Sequence, residues 1–244
     1  MAVIWQRRVN GHHYEVRSAG RSRRLYTDGI FHSQFNPRTV MSGAPWDLLT
    51  LPAFLRSAGV HRVLLLGLGG GAVARQLLHF FPQAEITGVD LDAVHLSVAR
   101  RFFGLSRTGV RLVQADARKF VGDCRGARFD CVIDDLFGGQ DGDPRRAVPF
   151  DHDWRGALTR LLVPGGVLVA NFTDSESACA AAGFAGVPLL KLVATLPRYD
   201  NRVLAWGGDR DLEALRQQLR TWPEIRPYLD AARGYRLQGP RAAA

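Results

Sequence analysis

Lysine is almost missing from this chain. Of its 32 basic residues, Lys119 and Lys191 are the two lysines and the other 30 are arginine. The formal net charge of +9 therefore looks like arginine taking ordinary surface positions, which weakens the nucleic-acid role that such a charge invites. The densest basic group, Arg7, Arg8, Arg17, Arg21, Arg23 and Arg24, keeps that role as a minor alternative. Cysteine is scarce as well. Cys124, Cys131 and Cys179 form no C-x-x-C pair and no zinc spacing, so neither a disulfide framework nor a metal site is expected. No apolar run approaches the roughly 18 to 20 residues of a membrane span. The best, Leu161 to Ala170, is broken by Pro164-Gly165-Gly166. The first residues do not resemble a secretory leader, and a cytoplasmic protein with no membrane partner is the expectation. There is no internal repeat.

What is present falls into zones. Residues 1–44 read as a small antiparallel β piece: His13 to Arg17 alternates, and Asp28-Gly29 is a strong hairpin signal. Residues 45–244 read as the main domain. Trp46 to Ala58 reads as a helix despite Pro52. Val63 to Leu66 is a continuous apolar strand, as expected when both faces are covered. Ala72 to Phe81 is helical, Glu85 to Asp90 a second strand, Ala93 to Phe103 a second helix. Val110 to Gln114, Phe129 to Asp134 and Val167 to Asn171 read as further strands, and Trp154 to Leu162 as a helix. Such alternation means a doubly wound, mostly parallel sheet. Leu189 to Leu196 and Arg202 to Trp206 are joined too tightly for a helical crossover, so they form an antiparallel end hairpin. That gives a seven-stranded Rossmann-like α/β sheet. Asp211 to Thr221 reads as the last helix, before a loose Ala-rich end.

Four signals place a nucleoside site on this sheet. Gly67-Leu68-Gly69-Gly70-Gly71 lies between the first strand and its helix, where glycine permits a sharp turn and close approach to a ligand. Gly67, Gly69, Gly70 and Gly71 are the candidates there. Asp90, 21 residues beyond Gly69, ends the second strand and can accept from both ribose hydroxyls. Asp92 reads as the cap of the next helix. Asp116-Ala117 follows the third strand, where a carboxylate can accept from an adenine amino group; capping the next helix is the alternative. Asp134-Asp135 follow the fourth strand, and since neighbouring strand residues face opposite ways, one of the two faces the crevice. In Asp151-His152-Asp153, capping is favoured over metal binding.

These residues carry a resemblance. Val63 to Gly71, Val89-Asp90-Leu91-Asp92, Gln114-Ala115-Asp116-Ala117 and Phe129 to Asp135 resemble the spermidine synthase (polyamine aminopropyltransferase) family. Arg24 to Gly29 is similar to its L-x-L-D-G hairpin, and Phe150 to Gly166 to its F-x-x-E-F…L-x-P-G-G segment. That family shares its sheet, end hairpin included, with class I S-adenosylmethionine-dependent methyltransferases. The resemblance implies that Gly67 to Gly71 lies against the nucleoside, that Asp90 holds the ribose and Asp116 the adenine. It places His32 near a glutamine that contacts the nucleoside. It makes Asp135, matching the first acid of the family's D-S-S-D loop, the catalytic residue. The donor is then S-adenosylmethionine or its decarboxylated form, the acceptor a small molecule such as an amine, and a homodimer is consistent with the family. Two departures fall on the acceptor side. The second acid of D-S-S-D is Gly138, and a Tyr-His-Glu segment appears as Trp46-Asp47-Leu48. An aliphatic diamine needs an acid for each nitrogen, so methyl transfer is slightly favoured over aminopropyl transfer, with Asp141 or Asp143 the groups that could restore the missing acid. Arg75 is one group able to sense a donor carboxylate. Two functions of a different class compete with alkyl transfer. One is a nicotinamide-dependent oxidoreductase, which Asp116-Ala117 and the end hairpin oppose. The second is a non-catalytic nucleoside- or nucleic-acid-binding module.

Overall fold

The computed structural model describes residues 1–240 apart from 127, 141, 142, 185 and 187, and excludes the side chains of Arg107, Gln140 and Asp143. The chain opens with a four-stranded antiparallel sheet in sequence order: β1 (Ala2–Val9), β2 (His12–Ala19), β3 (Ser22–Thr27) and β4 (Ile30–Phe35). Asp28-Gly29 makes the expected hairpin, both residues having positive φ, the combination a type I′ turn demands. Asn10-Gly11 makes an identical turn between β1 and β2, so the sheet starts one strand earlier than the alternation at His13 indicated. Its inner residues Tyr14, Val16 and Leu25 pack against Val94, Val98 and Phe103.

The helix expected over Trp46 to Ala58 is shorter and divided. α1 spans Pro45–Thr50, and a 3₁₀ turn covers Leu51–Leu55. Pro52 has no N–H to continue α1, and Arg56 is already extended. Then come β5 (Arg62–Leu66), α2 (Ala72–Phe80), β6 (Glu85–Asp90), α3 (Ala93–Phe102), β7 (Arg111–Gln114), α4 (Ala117–Asp123) and β8 (Phe129–Asp134). A hairpin follows where none was expected, β9 (Phe137–Gln140) with β10 (Asp143–Arg146). After it lie α5 (His152–Thr159), β11 (Leu162–Phe172), α6 (Ser175–Ala182), β12 (Leu190–Thr195), β13 (Arg202–Gly207), α7 (Leu212–Arg220), α8 (Arg226–Asp230) and β14 (Arg236–Gln238).

The main sheet runs β14-β12-β13-β11-β8-β5-β6-β7. The five strands from β11 to β7 are parallel; β13, β12 and β14 are antiparallel. The doubly wound sheet and its end hairpin are as expected. The correction is an eighth strand, β14, where seven were expected; the Ala-rich end lies outside the described residues. Both faces are covered. On β5, Val63 and Leu65 join one core with α2, while Leu64 and Leu66 join the other with α5, which is why the strand interior has no polar position. The fully buried Cys131 belongs to the first core. No helix among the described residues is long and apolar enough to cross a membrane.

Candidate active site

The carboxyl ends of β5, β6 and β8 converge on the glycine turn: the Gly67 N–H donates to the Val89 carbonyl and the Asp135 N–H to the Leu66 carbonyl, each at 2.9 Å. Gly67 has φ +83°, and a Cβ there would stand 2.1 Å from the Asp135 carbonyl oxygen. No other residue type fits between the ends of β5 and β8. Asp90, at the end of β6, accepts the Gly69 N–H through Oδ2 at 2.7 Å and the Asp92 N–H through Oδ1 at 2.9 Å. Burial alone would raise its pKa, but His95 and these two backbone donors outweigh it and hold the carboxyl below its usual range. Oδ1 keeps a further acceptor position, and on Oδ2 the second position faces the His95 ring.

No sequence motif points to His95. It lies on the inner side of α3 with Nδ1 3.7 Å from Asp90 Oδ2, and Nε2 is 2.9 Å from Thr27 Oγ1. Burial would lower its pKa, but the Asp90 and Asp92 carboxylates raise it. His32 of β4 stands against it, ring centroids 4.8 Å apart, and burial together with the His95 charge pushes His32 down to about 4. His32 is thus neutral at neutral pH, with the Asp90 and Asp92 carboxylates among the charges acting on it. Asp92 caps α3 as expected, accepting from Val94 and His95 N–H, and also accepts from Tyr14 OH at 2.7 Å. Leu91 is a second residue the motifs do not single out: between the two acids it is 69% exposed.

Asp116 is exposed and caps α4, accepting the Lys119 N–H at 2.9 Å. Capping uses Oδ1, and Ala117 behind it is buried. Asp151 caps α5 through the Trp154 N–H, and no group of three or more metal-binding side chains occurs among the described residues. Arg75 is turned away to other partners: its guanidinium lies 4.2 Å from the Phe35 ring centroid and donates to the Phe103 carbonyl.

The two acids after β8 separate as strand alternation requires. Asp134 is fully buried, bound to Arg146 Nη2 at 2.7 Å and to the indole N–H of Trp154 at 2.8 Å. Arg146, on β10, also lies over the Phe137, Phe150 and Phe172 rings, so it fastens the β9–β10 hairpin to the sheet. Asp135 faces the other way. Its Oδ1 accepts from Asn171 Nδ2 at 2.8 Å. Burial raises its pKa to about 6, with the Asp134 charge helping and the Asn171 hydrogen bond and Arg146 opposing. Gly138 opens into space: a Cβ there would meet nothing within 4 Å. Asp141 and the side chain of Asp143 lie outside the described residues. Asp47 is buried and fully engaged, accepting from Ser42 and Gly43 N–H, Gln76 Nε2 and Tyr235 OH. It ties α1, α2 and the tail together and has no oxygen turned to the crevice for an acceptor.

Comparison with known proteins agrees with this architecture. Residues 63–148 match a family described as a methyltransferase domain. A polyamine aminopropyltransferase from Vibrio vulnificus is 29% identical over 139 residues, 54% of this chain and 44% of that protein. Polyamine aminopropyltransferase 2 from Caldanaerobacter subterraneus is 29% identical over 173 residues, 70% of this chain and 56% of that one. The crystal structure of a probable spermidine synthase from Corynebacterium glutamicum superposes with a TM-score of 0.75 at 19% identity, covering 98% of this chain and 92% of that one. This is a spermidine synthase-like, class I methyltransferase fold. The spermidine synthase solved in complex with the transition-state analogue AdoDATO superposes at 0.71, with 15% identity, over 91% of this chain and 80% of the other. This chain spans about half the length of the curated relatives it matches.

Proposed function

We propose that the protein is an S-adenosylmethionine-type alkyl transferase. The donor nucleoside lies along Gly67 to Gly71 with its ribose on Asp90, His32 and Leu91 beside it, and its adenine toward Asp116-Ala117. The observation that carries this is Asp135. It is a carboxylate with its pKa raised to about 6, whose backbone touches the glycine turn. A base for the acceptor and a seat for the donor thus share one crevice.

The chemistry asks little of the protein. The acceptor nitrogen attacks the donor carbon, the carbon–sulfur bond breaks, and a neutral thioether leaves without protonation. Holding the two reactants in line removes much of the barrier. An aliphatic ammonium, with a pKa of roughly 10, must first give up a proton, and Asp135 accepts it. Methyl transfer is favoured because Gly138 offers no second acid for a diamine. The named relatives favour aminopropyl transfer from the decarboxylated donor as the second reading.

Calorimetry with S-adenosylmethionine against its decarboxylated form separates the two, with product masses read after incubation with an amine. A gain of one methyl supports the first reading; spermidine formed from putrescine replaces it with the second. Binding of neither donor sinks both.

Gly138 supplies a further prediction. Asp at this position has room, so Gly138→Asp should change unfolding free energy by no more than about 0.5 kcal/mol. It should lower the KM for a diamine roughly two- to fivefold relative to a monoamine, the size of one exposed ion pair. Equal KM ratios in both proteins would place the acceptor's second nitrogen elsewhere.

A further inference from the structure

Asn171, buried at the end of β11, stands between Asp135 and a third side chain. Its Nδ2 donates to Asp135 Oδ1 at 2.8 Å, and its Oδ1 accepts from Asn201 Nδ2 at 3.1 Å. An amide has a donating and an accepting end of nearly the same shape, so partners alone decide which way it faces. Against a carboxylate, Asn171 must present nitrogen; turned over, it would set oxygen against oxygen. Asn201, just before β13, presents a donor that demands the Asn171 oxygen. The two demands agree.

We propose that Asn201 is a positioning residue for the transfer: acting through Asn171, it fixes the amide orientation that holds Asp135 Oδ1 and leaves Oδ2 for the acceptor. The relay rests on the reading of Asp135 as the acceptor's base. Asn201 also lines a cavity of about 440 Å³ together with Thr173, Asp174, Tyr199, Asp200 and Arg202. The relay therefore runs from a cavity wall to the base.

Other charges face Asp135 from the neighbouring strands: Asp134 on β8, Arg146 on β10 and Asp90 at the end of β6. Asp134 and Arg146 are paired at 2.7 Å. A change confined to Asn201 leaves all three in place, so a shift at Asp135 reports on the amide.

Asn201→Asp is the discriminating substitution. An ionised carboxylate accepts where Asn201 donated, so residue 201 competes with Asp135 for the Asn171 nitrogen, and the amide turns over to the extent that residue 201 wins. The base then loses one hydrogen bond to its charged form. The acid limb of the kcat profile should move up by about one pH unit. Asn201→Ala removes the demand without reversing it and should move the limb less. Donor affinity should stay within about twofold in both. The carboxyl carbon of Asp135, followed by NMR in the free protein, should titrate with the same displacement. Measurement in ~1 M salt separates the flip from the long-range field of the new charge, which salt screens.

A midpoint in Asn201→Asp equal to the wild-type one, by both readouts, overturns the relay while leaving the proposed reaction intact. A carboxyl midpoint that moves while the kcat limb does not overturns Asp135 as the base, and the catalytic role of the relay with it. Loss of donor binding in the wild-type protein would instead strike the proposed function itself.

Discussion

An Asp90→Ala variant is expected to lose thermal stabilisation by S-adenosylhomocysteine altogether. After its bonds to the Gly69 and Asp92 N–H groups, Asp90 has a spare acceptor position on Oδ1 and one on Oδ2 that it shares with His95. Hydrogen bonds to a charged group contribute about 1.5–3 kcal/mol each, so losing two weakens nucleoside binding by roughly 100-fold or more. Asp90 also steadies the turn it faces, and part of the loss comes through Gly69. Asp90→Asn separates the contributions. It keeps the shape and one acceptor, but its NH₂ confronts either a backbone N–H or a ribose hydroxyl. Asn should therefore bind the nucleoside more weakly than wild type and fold nearly as well. A nucleoside that raises the Tm of Asp90→Ala as much as it raises the wild-type Tm would remove the ribose assignment.

The half of the site that Asp90 anchors was the legible half. Its residues are close together in sequence, and each is dictated by a local rule: an apolar strand, a turn that needs glycine, an acid at a strand end. Gly67 to Gly71 and Asp90 needed no knowledge of the rest of the chain. The partners that tune them did. Tyr14 reaches Asp92 across 78 residues, and Thr27 reaches His95 across 68. His95 by itself sits at an apolar-looking helix position, and nothing nearby in sequence reveals that Asp90 faces it. Asn171 and Asp135 are 36 residues apart, and their pairing depends on β11 lying beside β8.

The misses in the fold divide in the same way. Asn10-Gly11 was a readable hairpin signal, as strong as Asp28-Gly29, and it would have placed β1. The β9–β10 hairpin was not readable, because Asp143-Pro144-Arg145-Arg146 looks like a polar loop. It is held by Arg146, whose partner Asp134 ends β8, 12 residues earlier, and whose guanidinium also lies among the Phe150 and Phe172 rings. β14 forms because Val193 to Thr195 offers an open edge, which no property of residues 236–238 discloses. The separation of Asp134 from Asp135 was predictable from strand alternation; that Asp134 is the one bound to Trp154 and Arg146, leaving Asp135 to Asn171, depends on those distant partners.

Asp135→Asn should cost far more in turnover than in donor affinity. Removing a positioned base typically lowers rate by about 10²–10⁴-fold, whereas the ribose contacts on Asp90 are untouched and donor affinity should hold within about twofold. The wild-type profile should show why. Asp135 has to be ionised to accept a proton, and burial has raised its pKa to about 6, so turnover should climb with pH on a limb centred there. The same shift fixes the sign of its effect on stability. A carboxyl that binds its proton more tightly in the folded state favours folding at low pH. That contribution is complete below its unfolded pKa of 3.8 and is lost as pH rises through about 6. Asparagine imitates the protonated form and still accepts from Asn171, so the variant should melt above wild type at pH 8 and level with it near pH 4. Activity lost together with stability at pH 8 would mean that Asp135 holds the strand ends together and moves no proton. Activity lost while stability rises is the mark of a group kept ionised, against the preference of the fold, for the acceptor it serves.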